Sequence, residues 1–195
     1  MRSLGELARS GRTPRVLGVD DAPFEHVAGR PVPVVGAVCA GTRFEGLLWG
    51  QATVDGADAT QALVELVQGS KFHPQLHAVL LDGLAVGGFN LFDLPGLAAA
   101  LERPVVAVMR RPPDFAAVDR ALGAFADAAR RRALVAAAGP VHAHGPFDFQ
   151  VAGAAPDEVG LALEILTDRG HVPEALRLAH LVGSGVVTGQ SSNRA

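Results

Sequence analysis

Two carboxylates stand out in the 195-residue sequence by where they fall. Asp20 ends the apolar run Val16-Leu17-Gly18-Val19, and Asp82 follows His77–Leu81, just ahead of Gly83. Short apolar runs bounded by turn formers read as buried strands, so each aspartate sits where a strand leaves its sheet. If those strands are neighbours, the two carboxylates converge and repel, and a divalent cation removes that cost. An all-oxygen donor set suits Mg²⁺ or Mn²⁺. A metal pair roughly 4 Å apart activates a water and stabilises the leaving oxygen in phosphodiester hydrolysis.

A third carboxylate would complete such a cluster. Asp55 and Asp58, in TVDGADAT, follow the third expected strand and open a helix, and either could serve. Each also has a local reading: Asp55-Gly56 is a turn dipeptide, and Asp58 suits a helix N-cap. Asp21 is a weaker rival to Asp20, because successive strand residues point to opposite faces. Arg110 and Arg111 close the strand Pro104–Met109, where forked donors suit phosphates or merely solvate the next helix. Gly83, Gly87 and Gly88 allow a nucleic-acid strand to approach the backbone, or make a tight turn. Phe89 and Asn90 could stack on and hydrogen-bond to a base, although Phe89 also suits a core. His171 is placed for proton transfer or phosphate contact, with an exposed loop histidine as the alternative. His180 reads as a packing or surface residue of its helix, and His142 and His144 as surface loop.

The elements that must position these groups follow from periodicity. Residues 1–14 read as a flexible lead-in and 188–195 as a polar tail, leaving one domain over 15–187. Strands are expected over 16–19, 32–38 and 44–54, joined by short turns as an antiparallel meander. Helix 58–67, strand 77–81, helix 91–101 and strand 104–109 follow. A long helix opens at Asp114, with Phe115, Val118, Leu122, Phe125 and Ala129 as its apolar stripe. Strand 147–152 and helices 156–167 and 173–182 complete the order. The result is an α/β mixed sheet, three antiparallel strands followed by parallel ones, with helices on both faces. Ribonuclease H-like nucleases share this order, whereas a doubly wound nucleotide binder would open with βαβ and a glycine-rich turn.

Composition is that of a globular protein, with 49% hydrophobic and 19% charged residues. The apolar runs are too short to span a bilayer, and the first residues lack a signal core. Cys39 is the single cysteine, which excludes an intrachain disulfide and, with the rest, points to a cytoplasmic setting. A net charge of −3 argues against coating nucleic acid through bulk charge but leaves a nuclease open.

Taken in order, VLGVDDAPF, TVDGADAT, LLDGLAVGGFN, VVAVMRRPPDF and RGHVPEALRLAHLVGSGVV resemble the endonuclease dU family, distantly related to endonuclease V. The resemblance runs from residue 15 to about 187. It implies a ribonuclease H-like fold, a divalent metal, and action on DNA or RNA carrying deaminated bases such as uracil or hypoxanthine. Against endonuclease V, Asp20 and Asp82 match two motif aspartates, and Arg110 falls where that family has lysine. Three features depart from its pattern. Its glutamate has no counterpart in register, so Asp55 or Asp58 would substitute. Its Pro-Tyr-x-Pro wedge becomes Thr42-Arg43-Phe44-Glu45, with Phe44 the remaining aromatic. Its late histidine falls near Gly153-Ala154. The competing reading is a nucleic-acid-binding protein of the same fold that is catalytically weak or inactive. A phosphotransferase is disfavoured by the lack of a phosphate-binding glycine loop.

Overall fold

The computed structural model describes residues 3–191. Helix α1 (Leu4–Arg9) leads into strands β1 (Arg15–Asp21), β2 (Pro31–Ala40) and β3 (Arg43–Thr53). Next come α2 (Ala59–Gln68), β4 (Ala78–Asp82), the short strands β5 (Ala85–Val86) and β6 (Asn90–Leu91), then α3 (Leu94–Leu101) and β7 (Val105–Met109). Helices α4 (Phe115–Leu122) and α5 (Ala128–Ala137), strands β8 (His142–His144) and β9 (Phe147–Ala152), and helices α6 (Pro156–Ile165) and α7 (Glu174–Thr188) complete it.

Seven strands form one sheet in the order β3-β2-β1-β4-β7-β9-β8, while β5 and β6 pair as a separate hairpin. The first three strands are the expected antiparallel meander. β4 pairs parallel to β1, and β7 parallel to β4. The last part of the expectation needs correction: β9 runs antiparallel to β7, and β8 returns along it through a tight turn. A tight two-strand turn can only join antiparallel neighbours.

Alternation along β1 divides the core. Val16 joins Leu80, Val106 and Val159 on the face covered by α6 and α7. Leu17 and Val19 join Val79, Leu81, Leu63 and Leu97 on the face covered by α2 and α3. Such all-buried aliphatic strands are what a sheet covered on both faces requires. Gly18 has a specific cause: a Cβ there would lie 2.3 Å from the Ala175 carbonyl carbon of α7. Helix α7 meets β1 through small residues, with Ala175 and Ala179 buried and Gly183 against Ala22. The helix therefore lies flush on β1 and runs in its direction.

Two expectations of order fail locally. The lead-in is not loose over residues 4–9: Ser3 and Glu6 form a capping box, Leu4 and Leu7 are buried, and Arg9 pairs with Glu158 of α6. The long helix from Asp114 is two helices, broken over residues 123–127, and Arg130–Arg132 lie in the first half of α5. At the far end, α7 reaches Thr188 and Gly189 caps it at φ +81°; residues 192–195 of the expected tail lie outside the described residues.

Candidate active site

The last paired residues of β1 and β4 are Val19 and Leu81, so Asp20 and Asp82 follow side by side on the α7 face. Asp20 is buried. Its Oδ1 accepts from the Asp21 backbone N–H at 2.8 Å, and its Oδ2 shares a 2.9 Å hydrogen bond with His180 Nδ1 from α7. Asp82 Oδ2 accepts from Arg110 Nη2 at 2.8 Å. Burial pushes the Asp20 carboxyl up to about 7, helped by the charges of Asp82 and Asp21 and opposed by His180. Burial is the larger cause, and the neighbouring carboxylates add to it.

Asp21 is the third carboxylate in electrostatic reach. It faces the other side of the sheet, where its Oδ2 accepts from Gly87 N–H at 2.7 Å. Burial raises it too, offset in part by that bond, with the charge of Asp82 also raising it.

The structure does not bring Asp55 or Asp58 into this group. Asp55 sits at φ +53° in the turn after β3. Its Oδ1 accepts from Phe89 N–H at 2.9 Å, and its Oδ2 meets His26 Nε2 at 2.9 Å. Asp58 turns back onto β3, accepting from Thr53 N–H, Thr53 Oγ1 and Asn90 Nδ2, and Asn90 Oδ1 takes over the cap of α2 by accepting from Ala59 N–H. Both side chains hold loops. Among the described residues no three His, Cys, Asp or Glu side chains stand as a metal cage.

Two further expectations are corrected by strand direction. Ala40, which ends β2, pairs with Arg15, and Asp20 pairs with Val35. Phe44, the second residue of β3, pairs with Cys39 and so lies level with Val16, four strand residues or roughly 13 Å from Asp20, toward the opposite end of the sheet. His171 precedes α7, whose start lies beside Gly18 and whose Gly183 lies beside Ala22, so this exposed histidine is also at the far end. His180 takes the place at the carboxylates instead. His144 pairs with Glu164 on α6, away from this group.

Arg110 and Arg111 leave β7 at the carboxylate edge, as expected, and both are exposed. The three glycines divide. Gly87 and Gly88, at φ +55° and +87°, are closed in: a Cβ would strike Val32 at 2.7 Å or Asp55 at 2.5 Å. They make the tight turn of the β5–β6 hairpin. Gly83, at φ +84°, faces open space, with nothing within 4 Å of an added Cβ. It lines an apolar pocket of about 240 Å³ with Leu84, Phe89, Met109, Phe115 and Val118. Arg131, buried in α5, fixes the inner side by donating to the carbonyls of Phe89 and, at 2.8 Å, Asp55.

A meander continued by parallel strands, with aspartates at the adjoining ends of β1 and β4, defines the ribonuclease H-like class. Solved structures agree. Human ENDOV superposes with a TM-score of 0.57 at 15% identity, covering 94% of this chain and 88% of that one. Endonuclease V of Ciona intestinalis, in complex with a 24mer DNA containing an inosine followed by a ribo-adenosine, gives 0.55 at 12%, covering 92% and 87%. At these identities the likeness concerns the fold. A protein of unknown function from Archaeoglobus fulgidus gives a TM-score of 0.84 at 37% identity, covering 89% of this chain and 98% of its own.

The chain belongs to the endonuclease dU family, whose model matches residues 12–187. A UPF0215 protein of Methanothermobacter thermautotrophicus is 39% identical over 186 residues, covering 93% of this chain and 91% of the relative. Among the described residues no helix is long and apolar enough to cross a membrane.

Proposed function

We propose that the protein is a divalent-metal-dependent endonuclease that hydrolyses a phosphodiester bond in DNA, or RNA, beside a deaminated base, in nucleic-acid repair. One observation carries the reading: Asp20 and Asp82 adjoin at the ends of parallel strands, with Asp20 buried and its carboxyl pushed up to about 7. A carboxylate so placed gains from a nearby cation, and the oxygen donors fit Mg²⁺ or Mn²⁺. Asp20 and Asp82 would hold the ion, which when bound would supply a more acidic water and polarise the scissile phosphate.

The chain's own groups divide the remaining work. His180 fixes the orientation of the Asp20 carboxylate. Arg110 spends one N–H on Asp82 and keeps further donors for a phosphate at the rim. The apolar pocket beside Gly83 receives the extruded base, while its neighbours Arg110 and Arg111 steady the backbone. The family to which the chain belongs and the DNA-bound relative support this choice of substrate. Deaminated bases pair poorly, so extruding one costs less than extruding a normal base.

A second reading is a binding protein of this fold without catalysis. The lack of a three-ligand cage among the described residues favours it. Labelled duplexes carrying uracil, hypoxanthine or no lesion, incubated with Mg²⁺ or Mn²⁺ beside an Asp82→Asn control, decide between the two. Nicking next to uracil that is lost in the variant is the expected result. Equal cutting of intact strands would remove the lesion preference, and binding without any cutting would establish the second reading.

A further inference from the structure

We infer that β3 is a self-association edge: two copies of the chain pair β3 antiparallel across a two-fold axis and join their sheets into one. None of the residues involved belongs to the carboxylate group, so the pairing stands or falls apart from the nuclease reading.

The two edges of the seven-stranded sheet are built differently. β8 is three residues long, and His144 ties it to Glu164 of α6. β3 runs for 11 residues without a proline or a lysine. Short strands, prolines and lysines are the usual guards against edge-to-edge pairing, so β8 is guarded and β3 is open. The register shift beside Val38 and Cys39 lies near the start of β3 and leaves residues 46–53 regular. Over that stretch the backbone turns outward at fixed intervals. Pro33 gives its carbonyl to Ala22, away from β3, and pairs with Gln51. Alternate residues of an antiparallel strand share one direction, so Gln51, Trp49 and Leu47 all present N–H and C=O to the outside.

The side chains name a second copy as the occupant. Phe44, Leu47 and Trp49 are 48%, 38% and 43% exposed, and they pair with Cys39, Ala37 and Val35, which are buried on the α7 face. Helix α7 packs on β1 and β2 and leaves this row bare. A two-fold axis normal to the sheet sets the rows of both copies on the same face, with Leu47 opposite Trp49 of the second copy. Cross-strand pairs of aromatic and aliphatic side chains stabilise a sheet. The other face supplies charge complementarity. Cys39 and Phe44 face α7, so their neighbours Ala40 and Arg43 face the side that α2 covers. Arg43 is exposed, and its partner Glu45 keeps Arg15 without it. At the far end of β3, Gly50–Thr53 and the α2 residues Gln61, Ala62 and Glu65 line an open cleft of about 690 Å³. Antiparallel pairing lays the start of one β3 along the end of the other, so Arg43 of each copy enters the cleft beside Glu65 of its mate. A two-fold interface requires a self-complementary surface of this kind.

The test follows the full chain through a dilution series by sedimentation and by tryptophan emission. Trp49 is the single tryptophan and the chain has no tyrosine, so the signal reports this row alone. Rising concentration should give about twice the monomer mass, with a blue shift and weaker acrylamide quenching of Trp49. Leu47→Lys should hold the chain as a monomer with Trp49 exposed and the Tm unchanged. Arg43→Glu sets like charges beside Glu65 and should weaken association by about tenfold or more, and adding Glu65→Arg to it should restore association. A monomer at every concentration would overturn the pairing, as would a dimer that Leu47→Lys leaves intact or whose Trp49 stays open to quencher. A Trp49 shift that appears only with added oligonucleotide would also overturn it and give the row to nucleic acid.

Discussion

Asp20 Oδ2 and His180 Nδ1 share a 2.9 Å hydrogen bond across a sequence separation of 160 residues, and this contact joins the end of β1 to α7 above the carboxylate pair. It depends on the flush seating of α7 over Gly18. Gly18→Ala would force a Cβ against the Ala175 backbone, so the helix must lift. Overpacking of this kind costs about 1–3 kcal/mol. The expected result is a lower Tm together with at least a tenfold loss of nicking, about the factor that 1.4 kcal/mol represents in a barrier. An unchanged Tm and rate would show that the seating has no role.

Metal binding is the second expectation. Asp20→Asn and Asp82→Asn should each weaken Mn²⁺ binding, read by calorimetry, by about tenfold or more, since each removes one of two carboxylate donors. Unchanged affinity in both variants would place the ion elsewhere.

The raised Asp20 carboxyl gives a pH prediction with a definite sign. Between its ordinary value of 3.8 and about 7, the folded protein keeps a proton that the unfolded chain has released. Stability therefore falls as pH rises through that window and stays reduced above it. In metal-free buffer at pH 8, Asp20→Asn should melt higher than the wild type, with the gap closing toward pH 4. Added Mn²⁺ should raise the Tm of the wild type alone. A variant that melts lower at pH 8 would contradict the assignment of a buried carboxyl that resists ionisation.

Much of this site is legible in the sequence, for physical reasons. Val16–Val19 and Val79–Leu81 are too apolar and too short for anything but buried strands, so Asp20 and Asp82 had to mark their exits. The direction of each strand was equally available: if β1 ends at the site, β2 runs away from it, and the β2–β3 turn with Phe44 must lie at the far end. Order along the chain disguises that geometry. His180 carries no local signal. Only the small residues Ala175, Ala179 and Gly183, spaced four apart, reveal which face of α7 meets the sheet and hence that the neighbouring His180 reaches Asp20. Asp55 and Asp58 mislead because a loop-holding aspartate and a ligand look alike until their partners, Phe89, His26, Thr53 and Asn90, are placed. The apolar stripe through Phe115, Val118, Leu122 and Phe125 keeps helical spacing across Gly123, so periodicity alone hides the break between α4 and α5.

On the proposed phosphate role of its remaining donors, Arg110→Ala should weaken binding to all DNA sequences alike and lower the salt dependence by about one counterion. Loss confined to one sequence would indicate base reading instead.

Arg131→Met should destabilise the fold by about 2–3 kcal/mol, since it leaves the Phe89 and Asp55 carbonyls without their donor, while Asp127 keeps Arg130. Chemical denaturation measures this, and a change under 0.5 kcal/mol, about the level of an ordinary surface substitution, would show that the hairpin is held by other contacts.

The β1–α7 contact also bears on how the molecule comes into being. β1, β2 and β3 are local in sequence and can zip together early, but the partner of Asp20 is separated from it by nearly the whole chain. Such distant pairings form late, because their loop-closure entropy is recovered last. During synthesis the strands that carry Asp20 and Asp82 are complete long before residue 180 leaves the ribosome. A nascent chain therefore holds its carboxylates without their histidine, and the Asp20–His180 pair is completed only with the closing helix.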